Sequence, residues 1–222
     1  MGSLEVNRLI VESINDKYFI AKLIEKLNIN IKIDEPLNNT DELICLDGIG
    51  NLKIKLITMK LENINKLGII LDADCAGIES RLGYINSTLK NLKIDIELDK
   101  INEFKKDNKK DLEIASHILN VNGKGELEDI LYSIKTKDAT FADCLNSWRE
   151  CLKGKDKKIS DKDFLKFQIN NYIRFDTCSK EDKKQMHKNC DFKASMQKDI
   201  WDFDHENLDS LKEFLRLFNK TN

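Results

Sequence analysis

Three acidic side chains stand where apolar runs end. Glu12 follows Val6-Asn-Arg-Leu-Ile-Val11, and Asp72 and Asp74 follow Leu67-Gly-Ile-Ile-Leu71. Grouped carboxylates repel one another unless a cation or a proton intervenes. Hard oxygen ligands suit Mg²⁺ or Mn²⁺, which keep several waters and also bind phosphate oxygens. In a strand, residues i and i+2 point to the same side, so Asp72 and Asp74 reach one site if strand geometry persists through Ala73. The plain alternative is that both aspartates cap the next helix or shape its turn. Glu12 at the end of a neighbouring strand weakens that alternative, because ligands of open α/β sheets gather at the carboxyl ends of strands.

The elements that would position these residues alternate. Residues 6–12 read as a nearly continuous apolar strand of the kind buried on both faces. Asn15 or Asp16 is placed to cap a helix from Lys17 to Leu27, with Tyr18, Phe19, Leu23 and Leu27 on its apolar face. Pro36 and Asn38-Asn-Thr mark a loop. A second strand, Leu43 to Leu46, runs into Asp47-Gly-Ile-Gly50, and a helical pattern follows from Leu52 to about Leu61. The third strand is Leu67 to Leu71, and the next helix spans Gly77 to Leu89. Three strand–helix alternations with short connections predict a parallel α/β sheet with right-handed crossovers.

Beyond Leu92 the rhythm changes. Lys93 to Glu97 reads as a strand, residues 102–111 as an exposed polar loop, and Ile114 to Val121 as another strand. Asn122-Gly-Lys-Gly125 is a turn, and Glu126-Leu-Glu-Asp-Ile-Leu131 opens a helix. From there to Lys180 the pattern is mainly helical, and Leu208 to Phe218 is a closing helix.

The bulk composition excludes several classes. The chain has 222 residues, 41% hydrophobic and 34% charged, with a net charge of -2. That balance gives no global pull toward nucleic acid, so any such binding needs a local basic patch. No apolar stretch is long enough to cross a bilayer, and the N-terminus lacks a signal-peptide pattern. The six cysteines are irregularly spaced without a CxxC pair, and without an export signal they are expected as reduced thiols. Together these features point to the cytoplasm.

The order Val11-Glu12, Asp16 and a helix, then Leu71-Asp-Ala-Asp-Cys-Ala-Gly77, resembles the Toprim domain. That domain occurs in topoisomerases, bacterial primases, small ribosomal RNA maturases and the nucleases named for overcoming a lysogenization defect. Its hallmark is a glutamate after the first strand and an Asp-x-Asp after a later one. Small Toprim-like proteins of bacteria and archaea also share a late Gly-x-Leu-Glu-Asp stretch, here Gly125-Glu-Leu-Glu128-Asp129. The resemblance implies a Toprim-like Rossmannoid parallel sheet flanked by helices over residues 1–135. A mainly helical C-terminal extension, 136–222, would pack on it. It implies Glu12 as general acid or base, or as a metal ligand, and Asp72 and Asp74 as holders of Mg²⁺ or Mn²⁺. Glu128 and Asp129 would be ligands of a second ion, with Asp16, Ser13 and Gly77 in support. Ser13 departs from the family, where many members carry glycine directly after the glutamate.

Other constellations are weaker. Asp47-Gly48-Ile49-Gly50 lacks the full spacing of a dinucleotide or P-loop motif and reads as a turn. Lys124, between two glycines, is placed either to meet a scissile phosphate or as a surface lysine on a flexible turn. Cys178, His187, Cys190 and His205 match no familiar zinc spacing. Trp148, Trp201, Phe164, Phe167, Tyr172, Phe203, Phe214 and Phe218 read mainly as core, with room for one exposed ring to stack on single-stranded nucleic acid. Lys180, Lys183, Lys184 and Lys188 read as a solvated face, or else line a nucleic-acid face.

Two functions are therefore expected from the sequence. One is an Mg²⁺-dependent Toprim-type nuclease acting on phosphodiester bonds of DNA or RNA, with regulation or anti-phage defence as a context by analogy. The other is a catalytically weak Toprim-like module that binds a phosphorylated ligand or regulates a partner such as an ATPase. Membrane association is not expected, and a homo-oligomer is left open.

Overall fold

A computed structural model of the chain describes residues 7–32, 42–59, 61–107 and 111–219. The expected loop around Pro36, and residues 108–110 of the expected polar loop, lie outside them. The strands are β1 (Asn7–Val11), β2 (Leu43–Cys45), β3 (Lys66–Asp72), β4 (Lys105–Lys106) and β5 (Glu113–Leu119). The helices are α1 (Ile14–Leu27), α2 (Leu52–Thr58), α3 (Gly77–Asn91), α4 (Leu127–Ser133), α5 (Thr140–Lys153), α6 (Asp161–Asn171), α7 (Met186–Asn189), α8 (Phe192–Ser195) and α9 (Asp209–Arg216).

The sheet order is β2-β1-β3-β5-β4. The pairs β1·β2, β1·β3 and β3·β5 are parallel, and β4 is antiparallel to β5. The α/β expectation holds, with one antiparallel edge strand on an otherwise parallel sheet, a common variation. By its contacts the chain divides into two units. One runs to Leu127 and resumes at Leu208, and the other is Glu128–Asn207. The division therefore falls just after Leu127, the first residue of α4, instead of at residue 135, and the closing helix α9 groups with the α/β unit instead of the helical segment.

In the first unit, the pleat sorts β3 into two faces. Leu67, Ile69 and Leu71 share a core with Leu52, Leu56, Ile85 and Leu89 from α2 and α3. Gly68 lies on the opposite face, where a Cβ would come within 2.6 Å of Leu9 Cδ1 and 2.7 Å of Phe218 Cζ. The missing side chain lets the rings of Phe214 and Phe218 settle on the strand. Those rings meet edge-on at 5.9 Å, and Phe218 packs against Phe104 at 5.4 Å. Edge-to-face pairs of this kind add to the burial they accompany.

A polar latch ties α9 to β5. Asn102 Nδ2 donates to the carbonyl and hydroxyl oxygens of Ser210, which leaves Asn102 Oδ1 facing His117 Nδ1 at 2.8 Å. Because that oxygen only accepts, the His117 proton sits on Nδ1. Burial drives the His117 pKa from 6.5 down to about 3, so the ring is held neutral.

Three local expectations need correction. The helix cap after β1 is Ser13, not Asn15 or Asp16. Ser13 Oγ accepts from the Asp16 N–H at 3.2 Å and Asp16 Oδ2 accepts from the Ser13 N–H at 2.7 Å, a reciprocal capping box. Residues 93–97 are not a strand. Lys93 takes a left-handed φ of 56°, and the Asn86 amide holds Leu98 at both backbone groups, 2.9 Å each, in place of a strand ladder. Finally, the polar stretch 102–111 contains edge strand β4 instead of being wholly a loop.

The second unit is helical around Tyr172, which is fully buried. The Tyr172 hydroxyl donates to the Ile200 carbonyl at 3.0 Å and accepts from the Lys137 N–H at 3.0 Å. A Lys135–Trp201 bridge closes the unit's two ends. Cys178 and Cys190 form a disulfide, which overturns the expectation of reduced thiols for this pair and removes both as zinc ligands.

Candidate functional site

The parallel pairing of β1 with β3 puts Glu12 and Asp72 at neighbouring carboxyl ends. The Asp72 N–H donates to Glu12 Oε2 at 3.4 Å. Asp72 is buried and Glu12 is half-buried. The strand geometry does not persist beyond Asp72. The Ala73 N–H still donates to Leu119 O at 2.9 Å, but Asp74 turns left-handed with φ 49°. The simple i, i+2 alternation therefore does not place the Asp74 carboxylate.

A different interaction does. Asp74 and Gly125 exchange backbone hydrogen bonds of 2.7 and 3.0 Å, and the Asp74 carboxylate is ion-paired with Arg81 Nη2. Arg81 Nε donates to the Asp72 carbonyl at 2.9 Å. Arg81 thus straddles the Asp-x-Asp segment from α3. The sequence reading missed it. Its signal was position: Arg81 stands one helical turn after Gly77, so it faces back toward the residues preceding the helix. Gly77 itself has φ 81°, a conformation that glycine adopts without the Cβ penalty.

The bridge to Gly125 draws in the turn that carries Lys124. Val121 and Lys124 form their own bridge, and Asn120 Oδ1 accepts from the Gly123 N–H at 2.9 Å. The backbone of Lys124 is therefore adjacent to the residue paired with Asp74, while its side chain is exposed. Glu128 and Asp129 fall in the first turn of α4. They count with the second unit, Glu128 being buried and Asp129 half-buried.

The end of β2 adds a third edge. The Gly48 N–H donates to the Glu12 carbonyl at 3.1 Å, and residues 48–50 lead into a short 3₁₀ turn before α2, the plain turn expected. Cys45 Sγ donates to Asp47 Oδ1 at 3.2 Å. Burial, with the Asp47 and Asp16 charges adding, pushes the Cys45 thiol up to about 11. It is a neutral thiol near neutral pH and a poor nucleophile.

The oxygen donors Glu12, Asp72 and Asp74 suit a hard divalent cation by type. Among the described residues, however, no group of three His, Cys, Asp or Glu side chains is arranged to hold a metal. As the site stands, Arg81 takes the Asp74 carboxylate.

Fold and site define an α/β chain with an acidic edge at the carboxyl ends of its central strands. Residues 6–219 match the family described as a protein of unknown function (DUF3226), and the chain belongs to that family. No curated protein and no solved structure matches it. Among the described residues, no helix is long and apolar enough to cross a membrane.

Proposed function

We propose that this chain is a Toprim-type, Mg²⁺- or Mn²⁺-dependent nuclease that hydrolyses phosphodiester bonds of DNA or RNA in the cytoplasm, under the control of a trigger or partner. The observation that supports it most is the approach of Glu12 to Asp72 across β1 and β3. It brings the Glu12 carboxylate onto the Asp72 backbone at the carboxyl ends of neighbouring strands, where open α/β folds bind ligands. Asp72 and Asp74 would hold the cation, with Glu12 either a further ligand or the general acid or base. A bound ion would supply Lewis-acid stabilisation of the attacking and leaving oxygens.

The chain's own groups have separate proposed tasks. Where Glu12 is not a ligand, it takes or gives the proton of the water or leaving oxygen. Lys124 answers the charge that develops on the phosphoryl group. A cation held by Asp74 would compete with Arg81 for that carboxylate, and a freed Arg81 guanidinium would suit a phosphate oxygen.

The Arg81–Asp74 ion pair also favours a second reading. A site whose Asp74 is already paired with its own arginine suits a catalytically weak module that binds a phosphorylated ligand or regulates a partner such as an ATPase. The test is a thermal melt of wild type and Asp72→Ala/Asp74→Ala, each with EDTA, Mg²⁺ and Mn²⁺, followed by an oligonucleotide cleavage assay. Under the nuclease reading, metal raises the wild-type midpoint, the double variant shows no rise, and cleavage requires the same metal. A wild type indifferent to metal and inert on DNA and RNA overturns it in favour of the second reading.

A further inference from the structure

The second unit exposes aromatic rings that its own core does not use. Phe141, Trp148, Phe167 and Phe175 are 59%, 40%, 40% and 41% exposed, although rings of this size are usually well covered. They lie on α5, α6 and the π-helical turn that follows α6, and they come in touching pairs. Trp148 and Phe167 have centroids 5.3 Å apart, and Phe141 and Phe175 have centroids 6.0 Å apart.

The pairs are built, not incidental. Asp176, at the end of the π turn, accepts from the Phe141 and Ala142 N–H groups at 2.7 and 3.0 Å. It thereby caps α5 and locks Phe141 beside Phe175. Ser160 caps α6 through the Asp163 N–H at 3.0 Å, which sets the helix that carries Phe167.

The segment that carries these rings differs in charge from the chain as a whole. Between residues 141 and 188 there are twelve Lys and Arg against eight Asp and Glu, in a protein of net charge -2. Lys183 Nζ lies 5.8 Å from the Phe175 ring centroid, and Arg174 is the residue before that ring.

We propose that this aromatic and basic face of α5 and α6 docks single-stranded nucleic acid, with bases stacked on the rings and phosphates met by the surrounding lysines and arginines. It goes beyond the strand-end site but rests on the reading that the protein acts on nucleic acid. Stacking platforms interleaved with cations are the common solution for single strands, because every base offers a π face. A duplex keeps its bases stacked on one another and cannot use the platform. A protein partner fits less well, since the cores of protein interfaces are depleted in lysine.

The test uses the full chain in EDTA, so that no metal-dependent step intervenes. Oligothymidylate and a duplex of equal length are titrated while tryptophan emission and oligonucleotide anisotropy are read. Of the two tryptophans, Trp148 is exposed and Trp201 is buried, so quenching by a bound strand reports mainly on the face. The expected result is saturable quenching by the single strand and weaker binding of the duplex. Trp148→Phe should lose the quench but keep the anisotropy change. Trp148→Ala/Phe175→Ala should bind the single strand about tenfold or more weakly, with an unchanged melting midpoint showing that it is folded.

Equal affinity in the double variant, preference for the duplex, or no binding by wild type overturns the proposal. So does concentration-dependent self-association that the double variant abolishes, unaccompanied by oligonucleotide binding, which assigns the face to a second copy. The metal melts are read on different residues. Quenching without any metal response rejects the nuclease reading alone, and a metal response without quenching rejects this face alone.

Discussion

Arg81 is ion-paired to Asp74 and also donates to the carbonyl oxygen of Asp72. One side chain thus competes for the acidic edge with any cation that would bind there. Arg81→Gln should therefore raise the affinity of the strand-end site for Mn²⁺ severalfold, in line with roughly 1 kcal/mol for losing a competing ion pair. Mn²⁺ titration followed by the melting midpoint checks it. An unchanged affinity would mean that Asp74 does not share its carboxylate with the ion.

His117 gives the fold a signed response to pH. Its folded-state pKa is pushed by burial from 6.5 down to about 3, so between these values the unfolded chain binds the extra proton. Stability contributed by the neutral ring is fully present above about 6.5 and is lost as pH falls toward about 3. Urea midpoints measured across that window should fall with acid. His117→Gln, which keeps a partner for Asn102, should flatten the dependence.

Gly68 should tolerate no side chain. A Cβ there meets Leu9 and Phe218 at 2.6 and 2.7 Å, so Gly68→Ala must push the α9 rings off the sheet. A loss of about 1–3 kcal/mol is expected from overpacking, read as a lower urea midpoint with an unchanged denaturant slope. A variant as stable as wild type would show that the ring tips give way freely.

The Cys178–Cys190 bond closes a short loop, with a sequence separation of 12. On the chain-entropy account such a bond contributes about 3 kcal/mol. Dithiothreitol should lower the melting midpoint of wild type and leave that of Cys178→Ser/Cys190→Ser unchanged.

Ser13 separates two roles at the end of β1. Its hydroxyl caps α1, so Ser13→Ala should cost about 1 kcal/mol and Ser13→Gly only a few tenths. If the Toprim reading is right, Ser13→Gly restores the residue that many members carry there, and it should keep or raise metal-dependent cleavage. A loss of cleavage in a variant that melts like wild type would tie the hydroxyl to the chemistry.

Much of the α/β unit was legible because it rests on local signals. The apolar runs of β1, β2, β3 and β5 announce strands, and the glycine and aspartate breaks between them announce turns. What escaped depends on pairing across the chain. β4 is two lysines that become a strand only because β5 offers them an edge. The stretch 93–97 alternates like a strand, yet its backbone is met piecemeal, the Asp95 N–H by Asp107 Oδ2 and the following Leu98 by the Asn86 amide. At the site, Glu12 and Asp72 could be read from strand ends. The left-handed turn of Asp74 could not, because it follows from backbone bonds to Gly125, and Arg81 came into view only once α3 had an orientation. Trp148 and Phe167 read as core because helical spacing says which residues share a face, not whether anything covers it.

The return of α9 to the first unit has a consequence for synthesis. The rings that cover Gly68 emerge from the ribosome only after the whole of residues 128–207. Until then the Gly68 side of β3 lacks its α9 cover, while the opposite face already has α2 and α3. The nascent chain must therefore hold an incompletely covered sheet through the translation of an entire helical unit. A ribosome paused within that stretch presents an unfinished, sticky intermediate, and chaperone demand should peak there and drop once Phe218 has cleared the exit tunnel.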